Sequence, residues 1–239
     1  KAAVSFVDKF FGTGADQGYK DKVQIAVVSY SDSATTNVGL TNQKERLTSA
    51  INGISAKGGT NIQAGIHLAQ QILDADTREK VKKLIVVLSD GEPTYSYPFT
   101  ATGTFTGCTK TDWWESCNAR LTSHGAFTAD YTKRLGDGRS FSGMETDNGF
   151  LSWNWNDSGN ASVSGTCNKN HDRTQYGAYA VDGTFTAGGS SNHGVGTSWE
   201  ANQAKANGTE IFAVGFDIGN SGNAYDTMTG VATDADHYK

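Results

Sequence analysis

The run Leu84-Ile85-Val86-Val87-Leu88 constrains this chain more than any other feature. Five apolar residues in a row break off abruptly at Ser89-Asp90-Gly91. A strand wetted on one face alternates apolar with polar residues. An unbroken run therefore predicts a central parallel strand, covered on both faces. Parallel neighbours are joined by crossover helices, and the flanking sequence offers them. From Asn61 onward Ile62, Ile66, Ala69 and Leu73 recur at i, i+4, i+7 and i+11, which is one face of a helix. Leu47, Ile51 and Ile54 mark a second helix from about Asn42. Ala3, Val7 and Phe10 or Phe11 mark a first one over residues 1–12, closed by Gly12-Thr13-Gly14.

Val23, Ile25, Val27 and Val28 predict another buried strand, with a more polar one at 34–40 beside it. The alternation resumes late in the chain with a helix near 198–207, a strand from Glu210 to Phe216 and a helix around 224–232. Strands alternating with amphipathic helices predict an α/β fold, a doubly wound and mostly parallel sheet with helices on both faces.

Between Pro93 and about Gly196 this periodicity stops. The stretch holds both prolines, all three cysteines and four of the five tryptophans: Trp113, Trp114, Trp153 and Trp155. It is too aromatic for plain disorder and too long for a structureless loop in a compact domain. Alternating pieces at 100–105 and 179–185 suggest hairpins. The expected organisation is one α/β domain from residues 1–92 and 197–239, with residues 93–196 as an inserted, partly β arm. Cys108 and Cys117 are nine positions apart and are read as a disulfide, because the shorter loop closes at least entropic cost. Cys167 is then free or paired externally. Three reduced thiols are the alternative.

A net charge of −5 without a block of either sign argues against nucleic acid and anionic membranes as partners. No run approaches the ~18 apolar residues of a membrane span. In open α/β sheets ligands gather outside the carboxyl ends of the strands. The loops expected there carry oxygen: Tyr30-Ser31-Asp32-Ser33, Gly59-Thr60-Asn61 and Ser89-Asp90-Gly91-Glu92. Hydroxyls with one or two carboxylates suit Mg²⁺, Mn²⁺ or Ca²⁺ rather than zinc. Taken singly, Thr60 also fits a helix N-cap, and Asp90-Gly91 an ordinary turn.

In order, these pieces resemble the von Willebrand factor type A domain. "VQIAVVSYSDSA" (Val23 to Ala34) resembles its second strand, Gly58-Gly59-Thr60-Asn61 its GGTN loop, "KLIVVLSDGEP" (Lys83 to Pro93) its fourth strand and "IFAVG" (Ile211 to Gly215) its fifth. The resemblance implies a divalent-cation adhesion site in which Thr60 and Asp90 are ligands, together with a D-x-S-x-S loop following the family's first strand. This sequence starts inside the helix that follows that loop, and neither the loop nor the first strand is present in it. Asp32-Ser33-Ala34-Thr35-Thr36 lacks the serine spacing and follows the second strand instead. A missing central strand would leave backbone groups unpaired. The expectation is a fragment of a longer chain that holds metal weakly or not at all.

The aromatic insertion after "SDGEP" resembles the arm-bearing A domains of Gram-positive pilus-tip adhesins. That resemblance implies an extracellular, cell-surface or cell-wall-anchored adhesin. Its partners would be a host matrix protein or cell-surface glycoprotein and other domains of the same surface protein or pilus. Trp113, Trp114, Trp153 and Trp155 are the candidate ligand contacts, since exposed aromatics dominate recognition and sugar stacking. Their competing role is to fill the core of the insertion. An enzyme is not expected: G-x-x-x-x-G-K-[ST], G-x-S-x-G and H-E-x-x-H are absent, and the histidines lack ligand spacing. A structural scaffold with no ligand of its own is the alternative function.

Overall fold

The computed structural model describes residues 1–14, 17–90, 92–97, 99–106, 116–117, 120–124, 128–132, 134–136, 144–146, 149–155, 161–166, 180–187 and 193–239. In chain order the first elements are α1 (Ala2–Phe11), α2 (Gln17–Lys20), β1 (Ile25–Tyr30), β2 (Ala34–Thr41), α3 (Lys44–Asn52), α4 (Ile62–Asp74) and β3 (Leu84–Ser89). Next come β4 (Tyr95–Ser96), β5 (Phe99–Thr106), β6 (Ser116–Cys117), β7 (Arg120–His124), β8 (Thr128–Ala129) and β9 (Leu135–Gly136). They are followed by β10 (Met144–Thr146), β11 (Gly149–Trp155), β12 (Ala161–Thr166) and β13 (Ala180–Ala187). The last are α5 (Gly194–Ala206), β14 (Glu210–Gly215), α6 (Asn223–Val231) and a 3₁₀ turn, Ala235–His237. The chain divides into two compact units: residues 1–94 with 197–239, and residues 95–196.

The first unit is α/β. β3 and β14 pair in parallel, from Leu84 opposite Glu210 to Ser89 opposite Gly215. One face of this ladder presents Ile85, Val87, Ile211 and Ala213 to a core completed by Ile62 and Ile66 of α4, Ala201 and Ala204 of α5, and Met228 and Val231 of α6 with Ala232. The other face departs from the expectation of two-sided burial, for Leu84 is 46% and Val86 38% exposed. An apolar run cannot tell burial on one face from burial on two; the helices that meet the Ile85 face decide it here.

β1 and β2 form a separate antiparallel ladder, backed by a smaller cluster of Val7, Val38 and Leu47. All six residues of β1 are partly buried. Among the described residues no ladder joins β1 to β3. Instead the Tyr30 hydroxyl donates to the Leu88 carbonyl at 2.5 Å. A tyrosine reaching from one strand to the main chain of another covers roughly two strand spacings, about 9–10 Å. α3 ends at Asn52, so Ile54 lies beyond the helix expected to bury it and is exposed.

The second unit is antiparallel in its described residues. β10-β11-β12-β6 make one sheet, β13-β5-β7 with β8 on β5 another, and β4-β9 a short pair. The two alternating pieces expected to form hairpins pair with each other instead, Phe99 opposite Ala187 through Thr106 opposite Ala180. Trp153 sits opposite Val163 and Trp155 opposite Ala161 on β11. Trp113, Trp114, Cys108 and Cys167 lie outside the described residues, and with them the proposed Cys108–Cys117 pairing.

Candidate functional site

The loops at the carboxyl ends of β1 and β3 meet the start of α4. The entry to that helix explains how. Asn61, fully buried, caps α4 by accepting from the Ala64 N–H at 3.0 Å. The cap is therefore Asn61 and not Thr60, as a short polar side chain immediately before the first helical residue allows. The same residue ties in the loop after β1. Its own N–H donates to the Ser31 carbonyl at 2.7 Å, and its side-chain amide donates to the Asp32 carbonyl at 3.2 Å. The Asp32 carboxylate accepts from the Gly59 N–H at 2.5 Å. Asp32 thus acts as a clamp on the GGTN loop, a role its spacing did not suggest.

Two glycines make this closeness possible. Gly58 has φ +80, and a Cβ there would stand 2.5 Å from the Asp32 carboxylate oxygen. Gly65, in the first turns of α4, lies against the Tyr30 ring, where a Cβ would come within 2.7 Å of Cδ1. Burial pushes the Tyr30 phenol up to about 12, opposed by the hydrogen bond with the Ser89 side chain and helped by the negative charge of Asp90.

Thr60 is joined to the loop after β3 by two bonds. Its N–H donates to the Thr94 hydroxyl at 2.8 Å, and the Thr94 N–H donates to the Thr60 carbonyl at 2.9 Å. The Phe216 N–H donates to the Ser89 carbonyl at 2.9 Å, which ties in the loop after β14. Thr60 is partly buried and Asp90 exposed, both on loops of this one edge. Sequence reasoning missed Tyr30, Asn61 and Thr94 as the residues that fix those loops. The buried polar Asn61 ahead of an apolar helix face was the available signal for the cap.

What could such an edge hold? Hard divalent cations take about six to eight oxygens. Among the described residues no group of three His, Cys, Asp or Glu side chains could hold a metal. Thr60 and Asp90 have the right donor chemistry for part of a coordination sphere and do not complete one. His67 on α4 is engaged elsewhere. Its Nδ1 lies 2.8 Å from Glu200 Oε1 on α5, and its Nε2 lies 3.0 Å from the Gln71 amide nitrogen. A tautomer donating from Nδ1 and accepting at Nε2 satisfies both. Among the described residues no helix is long and apolar enough to cross a membrane.

Residues 1–92 match the family model described as the von Willebrand factor type A domain. No curated protein matches the sequence. Among solved structures the chain is similar to the vWF domain of the type V pili tip protein Mfa5 from Porphyromonas gingivalis, at 19% identity and a TM-score of 0.57, covering 99% of this chain and 79% of that one. It is similar to the adhesive tip pilin GBS104 from Group B Streptococcus agalactiae at 16% identity and a TM-score of 0.52, covering 98% of this chain and 86% of that one. The pilus adhesin SpaC from Lactobacillus rhamnosus GG matches at 18% identity and a TM-score of 0.54, and all of this chain spans 25% of its length. At these identities the likenesses concern the fold. Together with the family match over its first 92 residues, they show that this chain has the α/β fold of von Willebrand factor type A domains.

Proposed function

We propose that this chain is an extracellular adhesion module of a multi-domain surface or pilus protein, a binding domain and not an enzyme. The observation that carries the proposal is its fold-level likeness, over nearly its whole length, to domains of a pilus tip protein, an adhesive tip pilin and a pilus adhesin. The partner is a host matrix protein or cell-surface glycoprotein. Thr60 and Asp90 contribute ligands to a Mg²⁺, Mn²⁺ or Ca²⁺ ion whose remaining oxygens come from a D-x-S-x-S loop outside these residues. Trp113, Trp114, Trp153 and Trp155 are further candidate contacts.

Calorimetric titration with Mg²⁺ and Mn²⁺ tests the metal half of the proposal. The 239-residue chain is expected to bind weakly or not at all. A longer chain carrying the D-x-S-x-S loop is expected to bind, with Asp90→Ala lowering affinity roughly tenfold or more. Equal affinity in that variant removes Asp90 from the site. Adhesion to immobilised matrix glycoprotein that survives a chelator moves the contact to the tryptophans. The second reading is a scaffold, favoured by the small share of SpaC that this chain spans. Failure to bind any matrix protein or glycan, with cation present, selects it.

A further inference from the structure

Residues 233–239 run along the edge of β14 that β3 leaves open. The Thr233 N–H donates to the Ile211 carbonyl at 2.9 Å, the Lys239 N–H to the Ala213 carbonyl at 2.9 Å, and the Gly215 N–H to the Lys239 carbonyl at 2.8 Å. The Ile211 N–H donates to the Thr233 hydroxyl at 2.7 Å. Ala213 and Tyr238 form a parallel bridge, and the Tyr238 ring meets Tyr225 of α6 edge-on at 5.6 Å. The segment thus extends the sheet by a short, irregular strand.

Its side-chain anchor is His237, 15% exposed at the side chain. The ring lies against Phe212 of β14, tilted by 42° with centroids 4.4 Å apart. Nδ1 lies 2.5 Å from Asp234 Oδ1 and Nε2 lies 2.5 Å from Glu210 Oε1. Carboxylates only accept, and neutral imidazole has a single N–H to donate. One contact would then set a ring lone pair against a carboxylate oxygen. The arrangement therefore requires the imidazolium. The charged groups around it are Glu210 on β14, whose other oxygen pairs with Lys82 ahead of β3, and Asp234 on its own turn. Asp236 also belongs to that turn, and its backbone N–H donates to Asp234.

We infer that residues 233–239 are a proton-dependent latch: His237 as imidazolium fastens them to β14, and loss of its proton releases them. The sign follows from the raised His237 pKa, which is due first to Asp234 and then to Glu210. A histidine raised in the folded state contributes fully below its ordinary value of 6.5, and the contribution is lost as pH climbs through the raised one.

NMR on the 239-residue protein tests this, following the His237 ring protons and the Tyr225–Tyr238 ring contact from about pH 5.5 to about pH 9, either side of the ordinary histidine range. The expected result is that the tyrosine contact is lost along the same titration curve as His237. A contact that persists across the whole His237 titration overturns the latch. His237→Gln is expected to lack the contact at both extremes, and a wild-type contact in that variant also overturns it. Should that variant fail to fold, Glu210→Gln decides. It is expected to weaken proton binding at His237 roughly tenfold, carrying the release midpoint about one pH unit lower. An unchanged midpoint counts against the latch.

Discussion

Two ladders stand side by side in the α/β unit, made of similar residues and held in different ways. The β3–β14 ladder buries Ile85, Val87, Ile211 and Ala213 under three helices. The β1–β2 ladder has a cluster of only three buried residues, Val38 of β2 with Val7 and Leu47, and a first strand that is partly open throughout. Besides the Tyr30 ring, which packs on the larger core, what links them at the candidate site is a set of hydrogen bonds: Tyr30 to Leu88, Asp32 to Gly59, and Asn61 to Ser31. The lesson is a division of labour. Hydrophobic burial fixes one ladder, and hydrogen bonds from loop residues fix where the other places its ends.

The largest expected effect probes that asymmetry directly. Ile211→Ala opens a cavity in the larger core, where neighbours on three helices are pinned by each other and collapse poorly. A loss of about 3–5 kcal/mol is expected. Leu47→Ala removes an equally buried side chain from the small cluster, where α1 and α3 have more freedom to close in, and about 2–3 kcal/mol is expected. Chemical denaturation of both variants checks the order. A larger loss for Leu47→Ala would show that the small cluster, not the β3–β14 core, dominates stability.

The next prediction concerns the clamp on the GGTN loop. Gly58→Ala introduces strain at φ +80 and pushes a methyl group against the Asp32 carboxylate, which the Gly59 N–H holds in place. About 2 kcal/mol of destabilisation is expected. Asp32→Ala alone should cost about 1 kcal/mol for the lost hydrogen bond. Because each change removes what the other needs, the double variant should fall short of the sum by about 0.5–1 kcal/mol, read from a double-mutant cycle. Strict additivity would mean that Asp32 does not hold the loop.

These clamps also mark where the sequence stops being legible. Periodicity located β1, β2, β3, β14 and most helices of the α/β unit, because each is specified by residues close together in the chain. α5 begins at Gly194, ahead of the expected 198, since Gly194 and Gly196 are poor helix formers and mask the start. The partner of β5 was not legible at all. A Thr, Gly and Ala alternation fits many strands, and its true neighbour, β13, starts at residue 180. At the candidate site Thr60 and Asp90 could be placed on one edge from the strand order. Tyr30, Thr94 and Asp32 act across separations that no local pattern encodes. The His237 latch joins Lys82, Glu210, Asp234 and His237, which no motif gathers.

The smallest expected effect isolates the bridge between the two ladders. Tyr30→Phe keeps the ring that packs on Gly65 and deletes only the hydroxyl that donates to Leu88. At neutral pH the loss should be about 1 kcal/mol, since the Leu88 carbonyl forfeits one hydrogen bond while packing is preserved. The pH dependence is more discriminating. Tyr30 is raised from 10.0 to about 12 because burial penalises the phenolate. Its unfolded counterpart loses its proton first, so the wild type should lose stability between pH 10.0 and about 12 through this residue. The phenylalanine variant lacks that term. Its deficit against the wild type should therefore shrink as pH rises through this window, in denaturation curves measured at matched pH. A deficit that stays constant would mean that Tyr30 ionises as easily folded as unfolded, and so does not lie buried between β1 and β3.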